Sequence, residues 1–75
     1  MLKKATVSVL IPVYNEEKNI PLLYESLEQV FSQIPKYSHE IVFINDGSVD
    51  NSWSEIEDLV RKDVKIRAID RKSVV

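Results

Sequence analysis

Seventy-five residues carrying a net charge of −2 allow one small domain, 44% hydrophobic and 29% charged, a composition ordinary for a globular protein but with only about 60% of its unfolded surface buried on folding. The mild acidity gives no reason to expect a nucleic-acid partner through bulk charge. The lack of cysteine excludes disulfides, thiolate chemistry and cysteine-based zinc sites, and the single histidine, His39, cannot build a conventional metal site without carboxylates.

The first predicted element is a strand over Ala5 to Ile11, too short for a helix and ended by Pro12, which has no amide proton for a central ladder. Its near-continuous apolar character predicts cover on both faces, as in a parallel sheet. Lys3 and Lys4 precede only the short apolar run Val7 to Val13, broken by Ser8 and Pro12, so no secretory signal is read there. No stretch approaches the roughly 20 apolar residues of a membrane helix, and the expected location is cytoplasmic.

A polar segment, Tyr14 to Asn19, leads into a helix in which Asn15 or Asn19 is a candidate cap and Pro21 fits the first turn. Leu23, Leu27, Val30, Phe31 and Ile34 recur at steps of three and four and predict its buried face, with Glu25 and Glu28 off it. Pro35 ends the helix, and His39 is expected in an exposed loop. A second strand is predicted over Ile41 to Ile44. It runs into Asn45-Asp46-Gly47-Ser48, a turn holding the only glycine of the chain, placed where a backbone bends tightly or lets a ligand approach.

The next helix starts between Asp50 and Ser54, with Ser52 and Glu55 or Ser54 and Glu57 as capping boxes and Asp50 as a cap. Trp53, Ile56, Leu59 and Val60 are its predicted buried stripe. A third strand is predicted over Val64 to Ile69. Six of the ten basic residues lie in the last fifteen positions; a solvated helix end and exposed strand account for them, the alternative being attraction to phosphate or an anionic membrane surface.

Strand, helix, strand, helix, strand predicts an α/β fold with a parallel sheet and right-handed crossovers, one mononucleotide-binding half of a doubly wound architecture. Ligands of such folds lie beyond the carboxyl ends of the strands, which puts residues 12–16 and 45–48 along one crevice. The glycine patterns of dinucleotide folds, P-loops and hydrolase elbows are all missing. What the strand ends offer is Tyr14 and the carboxylates of Glu16 and Asp46. A carboxylate accepts from a ribose hydroxyl or an imino N–H and repels phosphate, so these residues suit the nucleoside end of a ligand. Each has a plainer alternative: Tyr14 packing over a helix, Glu16 at a helix start, Asp46 in an ordinary turn.

Val9-Leu10-Ile11-Pro12-Val13-Tyr14-Asn15-Glu16-Glu17 and, about thirty residues on, Glu40-Ile41-Val42-Phe43-Ile44-Asn45-Asp46-Gly47-Ser48-Val49-Asp50 together resemble the amino terminus of glycosyltransferase family 2. The sequence is most similar there to polyprenyl-phosphate sugar transferases, including bactoprenol glucosyltransferases and dolichol-phosphate mannose synthases. The resemblance implies a GT-A (Rossmann-like) fold, a UDP-sugar or GDP-sugar donor with UDP preferred, a divalent metal (Mg or Mn) and a lipid acceptor. It implies that Pro12, Tyr14 and Glu16 line a nucleoside pocket, that Asp46 contacts the base, and that Asn45 and Gly47 support the turn. The family's metal-binding Asp-x-Asp motif, catalytic base and acceptor site belong to later segments. The expectation is therefore a partial domain over residues 1–75 with a divergent tail at 71–75, binding no metal and inactive alone. The alternative is a non-catalytic remnant that folds or self-associates through its sheet edges.

Overall fold

The computed structural model describes residues 5–71. Three strands, β1 (Ala5–Val13), β2 (Tyr37–Asp46) and β3 (Ile66–Arg71), alternate with two helices, α1 (Ile20–Ser32) and α2 (Ser52–Lys62). Both strand pairs are parallel and the spatial order is β1-β2-β3. The predicted βαβαβ half of a GT-A fold is therefore present, and the expected tail loses its first residue to β3. Lys72 to Val75 lie outside the described residues.

Register explains the core. Ile11, Phe43 and Ala68 stand side by side on neighbouring strands, as do Val9, Ile41 and Ile66. Val13, Ile41, Phe43 and Ile66 pack with Ile20 from α1 and Ile56 and Leu59 from α2, with Tyr24, Leu27 and Trp53 around them. Phe43 is 0% exposed, and burying a side chain of this kind contributes about 1.5–3 kcal/mol.

The strand order has a consequence that the apolar run in β1 concealed. Two right-handed crossovers stepping the same way, β1 to β2 to β3, set both helices on the same face of the sheet. The expectation of cover on both faces is thus corrected. On the opposite face Leu10 aligns with Val42 and Arg67, and Pro12 with Ile44 and Ile69. Leu10 is 64% and Ile69 51% exposed.

Several boundaries also move. β1 continues through Pro12 to Val13, because β1 is an edge strand among the described residues and tolerates a missing ladder donor. β2 is longer than predicted at both ends. β3 begins at Ile66, not Val64, because Asp63 organises the preceding turn. Its carboxylate accepts the Lys65 amide at 2.9 Å, its carbonyl accepts the Ile66 amide at 3.0 Å, and Val64 projects into solvent.

The inward stripe of α1 is Ile20, Tyr24, Leu27 and Phe31; Leu27 and Phe31 face inward as predicted, whereas Leu23, Val30 and Ile34 lie outward. In α2, Ile56 and Leu59 are buried as predicted, Trp53 is half-buried and Val60 is 38% exposed. His39 is not in a loop. It lies in β2, its ring stacked on Phe31 with centroids 4.1 Å apart and planes inclined by 1°, and its Nε2 is 2.9 Å from Glu28 Oε2. Glu28 also faces Lys65 at 3.7 Å, and nearby the Tyr24 hydroxyl donates to Asp63 Oδ2 at 2.8 Å. These groups tie α1 to the amino end of the sheet.

Candidate functional site

The carboxyl ends of β1 and β2 open into two loops, residues 14–19 and 47–51, that meet over the core. Val13 and Asn45 are register partners, so the chain leaves both strands at the same level. Side-chain alternation then sorts the expected site residues. Pro12 and Asp46 fall on the open face of the sheet, whereas Asn45 points towards the helices.

Asn45 is 3% exposed. Its Nδ2 donates to Asp70 Oδ1 at 3.0 Å, joining the carboxyl ends of β2 and β3, while its Oδ1 has no partner. An aspartate here would set two carboxylates against each other, and the amide removes that repulsion. Asp46, next along, is exposed and stands in register with Arg71. Gly47 has φ 75°, a left-handed value that glycine adopts without steric cost. Tyr14 is 60% exposed at the mouth of the site.

Pro12 and Glu16 line a cleft of about 180 Å³ with Ile11, Val13, Asn19, Ile20 and Leu23. Glu16 Oε2 accepts Asn19 Nδ2 at 2.6 Å, and the Glu16 carbonyl accepts the amides of Asn19 and Ile20. Glu16 lies before the first turn of α1, which holds no acidic residue, and its carboxylate engages the Asn19 side chain and not a helix amide. Asn19 occupies the cap position of α1 without a side-chain cap bond, and Pro21 lies in the first turn as expected. The structure brings Pro12, Tyr14, Glu16, Asn45, Asp46 and Gly47 to one end of the sheet, distributed over both its faces.

Residues that sequence reasoning did not single out for the site hold its loops together. The Asn15 amide donates to Ser48 Oγ at 2.9 Å, and the Val49 amide donates to Asn15 Oδ1 at 2.9 Å. The Glu16 amide donates to Ser52 Oγ at 2.8 Å and the Glu17 amide to Asp50 Oδ2 at 3.4 Å. Ser52 is thus no capping-box residue. It opens α2, but its hydroxyl oxygen serves the other loop, and Asp50 takes the Ser52 amide at 2.9 Å. The Ser52 hydroxyl is the main influence lowering the Asp50 pKa, opposed by burial and reinforced by the Ser52 and Glu17 amides. The one sequence signal for this arrangement was Asn15, with φ 51°, a conformation that asparagine tolerates better than most residues.

Among the described residues no group of three or more histidine, aspartate or glutamate side chains is placed to hold a metal ion. The divalent metal expected from the resemblance has no donor set here. No described helix is long and apolar enough to cross a membrane.

A parallel βαβαβ unit with two interlocked polar loops beyond its strand ends defines a protein of the Rossmann-like α/β class. The pattern of the family described as Glycosyl transferase family 2 matches residues 8–73, and the chain belongs to that family. It is 43% identical over 68 residues to a glycosyltransferase, CsbB, of Bacillus subtilis, covering 91% of this chain and 20% of that protein. It is 44% identical over 57 residues to the prophage bactoprenol glucosyl transferase homolog of Escherichia coli, covering 76% of this chain and 18% of that one. A third relative, the undecaprenyl-phosphate 4-deoxy-4-formamido-L-arabinose transferase of Pseudomonas fluorescens, is 40% identical over 57 residues, 76% of this chain and 16% of its own. The chain spans about a fifth of the length of these relatives.

Proposed function

We propose that these residues form the nucleoside-binding part of a donor site, in an enzyme that transfers a hexose from a UDP- or GDP-sugar to a polyprenyl-phosphate acceptor. The observation that carries this reading is the convergence of both family motifs on two loops joined by reciprocal hydrogen bonds at the carboxyl end of the sheet. The names of the relatives support the acceptor class, and we assign the reaction to the cytoplasmic face of a membrane.

Each residue has a chemical task in this scheme. Asp46, exposed and acceptor-only when ionised, takes an imino N–H of the base or a ribose hydroxyl. Tyr14 offers an exposed ring against which a base can lie. Pro12 and Glu16 shape the adjacent wall, and Asn45 and Gly47 hold the turn that presents Asp46. The donor set for a divalent metal is not assembled among the described residues. As a 75-residue polypeptide the chain is expected to bind nucleotide without transferring sugar.

Calorimetric titration of the folded chain with UDP and GDP, with and without manganese, tests the proposal alongside Asp46→Ala. Weak UDP binding that is lost in the variant and indifferent to manganese is the expected result. A folded sample that binds neither nucleotide rejects the donor-site reading. The exposure of Leu10 and Ile69 on the uncovered sheet face favours one second reading, self-association without a ligand. Sedimentation of the same sample decides it, since a monomer at all concentrations rules that reading out.

A further inference from the structure

We propose that Asn15 is a positioning residue which locks the two site loops into one unit, so that Tyr14 and Asp46 cannot shift independently. This rests on the nucleoside-site reading and goes beyond it, because Asn15 is assigned no contact with the ligand.

Three successive amides of the first loop, those of Asn15, Glu16 and Glu17, all donate to side chains of the second loop or of the start of α2: Ser48, Ser52 and Asp50. Among the described residues the bond in the opposite direction comes only from Val49, whose amide donates to Asn15 Oδ1. Asn15 is thus the one residue that both gives to and takes from the facing loop. Its position between Tyr14 and Glu16 fixes the residues on either side, and Ser48 and Val49 directly follow Asp46 and Gly47. The two left-handed residues noted among the described positions, Asn15 and Gly47, sit one in each loop. They turn the two chains towards each other. An asparagine meets both requirements of the position, tolerance of positive φ and a short side chain with an acceptor.

The test compares the 75-residue chain with Asn15→Gly and Asn15→Asp. Glycine keeps the backbone conformation and removes the acceptor; aspartate keeps the acceptor. UDP affinity is read by calorimetry, amide exchange and chemical shifts of Asp46, Gly47 and Val49 by NMR, and global stability by urea unfolding. Asn15→Gly is expected to free the Val49 amide, to shift the Asp46 and Gly47 resonances and to weaken UDP by about fivefold, the equilibrium equivalent of one hydrogen bond. Asn15→Asp is expected to restore all three. If Asn15→Gly frees Val49 while UDP affinity of the folded protein stays within about twofold, a margin well below one hydrogen bond, the residue is only a stabiliser and the proposal is overturned. If the unaltered chain binds no nucleotide, the donor-site reading fails separately. The resonances then decide: unmoved Asp46 and Gly47 signals in Asn15→Gly refute the coupling, and shifted ones that return in Asn15→Asp sustain it.

Discussion

Replacing Ser52 with alanine removes one oxygen and tests how the site is tied to the core. Ser52 is fully buried, and its Oγ accepts the Glu16 amide at 2.8 Å across the gap between the loops. Alanine fits the space but removes that part-buried bond, at a cost of about 0.5–1.5 kcal/mol, the net worth of a typical hydrogen bond. A domain of this size has a total stability on the order of 4–11 kcal/mol, so the loss is a substantial fraction. Taking about 1 kcal/mol as the midpoint, the melting temperature falls by roughly 4–8 °C. The same change strips Asp50 of the main influence lowering its pKa, so its carboxyl titrates closer to the ordinary 3.8. Urea unfolding gives the first quantity and NMR titration of Asp50 the second. A destabilisation under about 0.5 kcal/mol, the level of an inert surface change, with an unmoved Asp50 titration would refute the reasoning.

Two further expectations concern pH. The Tyr24 pKa is pushed up to about 12, first by its hydrogen bond to Asp63, then by burial and the Asp63 and Glu28 charges. A raised folded value means that this stabilisation is complete below the ordinary value of 10.0 and is lost as pH climbs towards 12. Tyr24→Phe is expected to remove the phenolate transition near pH 12 and to cost about 1.5–3 kcal/mol in urea unfolding at neutral pH, the range for a bond to a charged acceptor; an unchanged transition would show that another tyrosine carries it. On the acid side, burial opposes the charge of Asp63, but the Lys65 amide and the Tyr24 hydroxyl outweigh it and lower its pKa, as Ser52 does for Asp50. Depressed values stabilise the fold above the ordinary 3.8, so the urea midpoint should fall as pH drops below it, and less steeply in Asp63→Asn.

The element order was legible because strands and helices carry different apolar periods, and the site loops because strand ends in parallel sheets face one way. The inward stripe of α1 was legible only in part, at Leu27 and Phe31. Ile20, Leu22, Leu23, Tyr24, Leu27, Val30, Phe31 and Ile34 supply two overlapping stripes one position apart. In the structure, the set that includes Tyr24 turns inward, and its hydroxyl reaches Asp63, 39 residues away. The loop at His39 failed similarly: nothing local announces a ring stacked on Phe31 of the preceding helix. Ser52 illustrates the same limit. Its spacing to Glu55 satisfies a capping pattern, yet its oxygen serves Glu16, and only the approach of the two loops decides between those partners.

The placement of the polar contacts bears on how such a chain can change. Tyr24, Glu28, His39, Asp63 and Lys65 secure the sheet at its amino end, while Asn15, Ser48, Asp50 and Ser52 act at the other. α2, eleven residues long, separates Ser52 from Asp63 by roughly 16 Å at about 1.5 Å per residue. Substitutions that far apart combine additively, since coupling fades beyond about 10 Å. Sequence drift in the loops can therefore alter what the carboxyl end recognises while the opposite end keeps the chain folded, and each end can be engineered without re-optimising its counterpart.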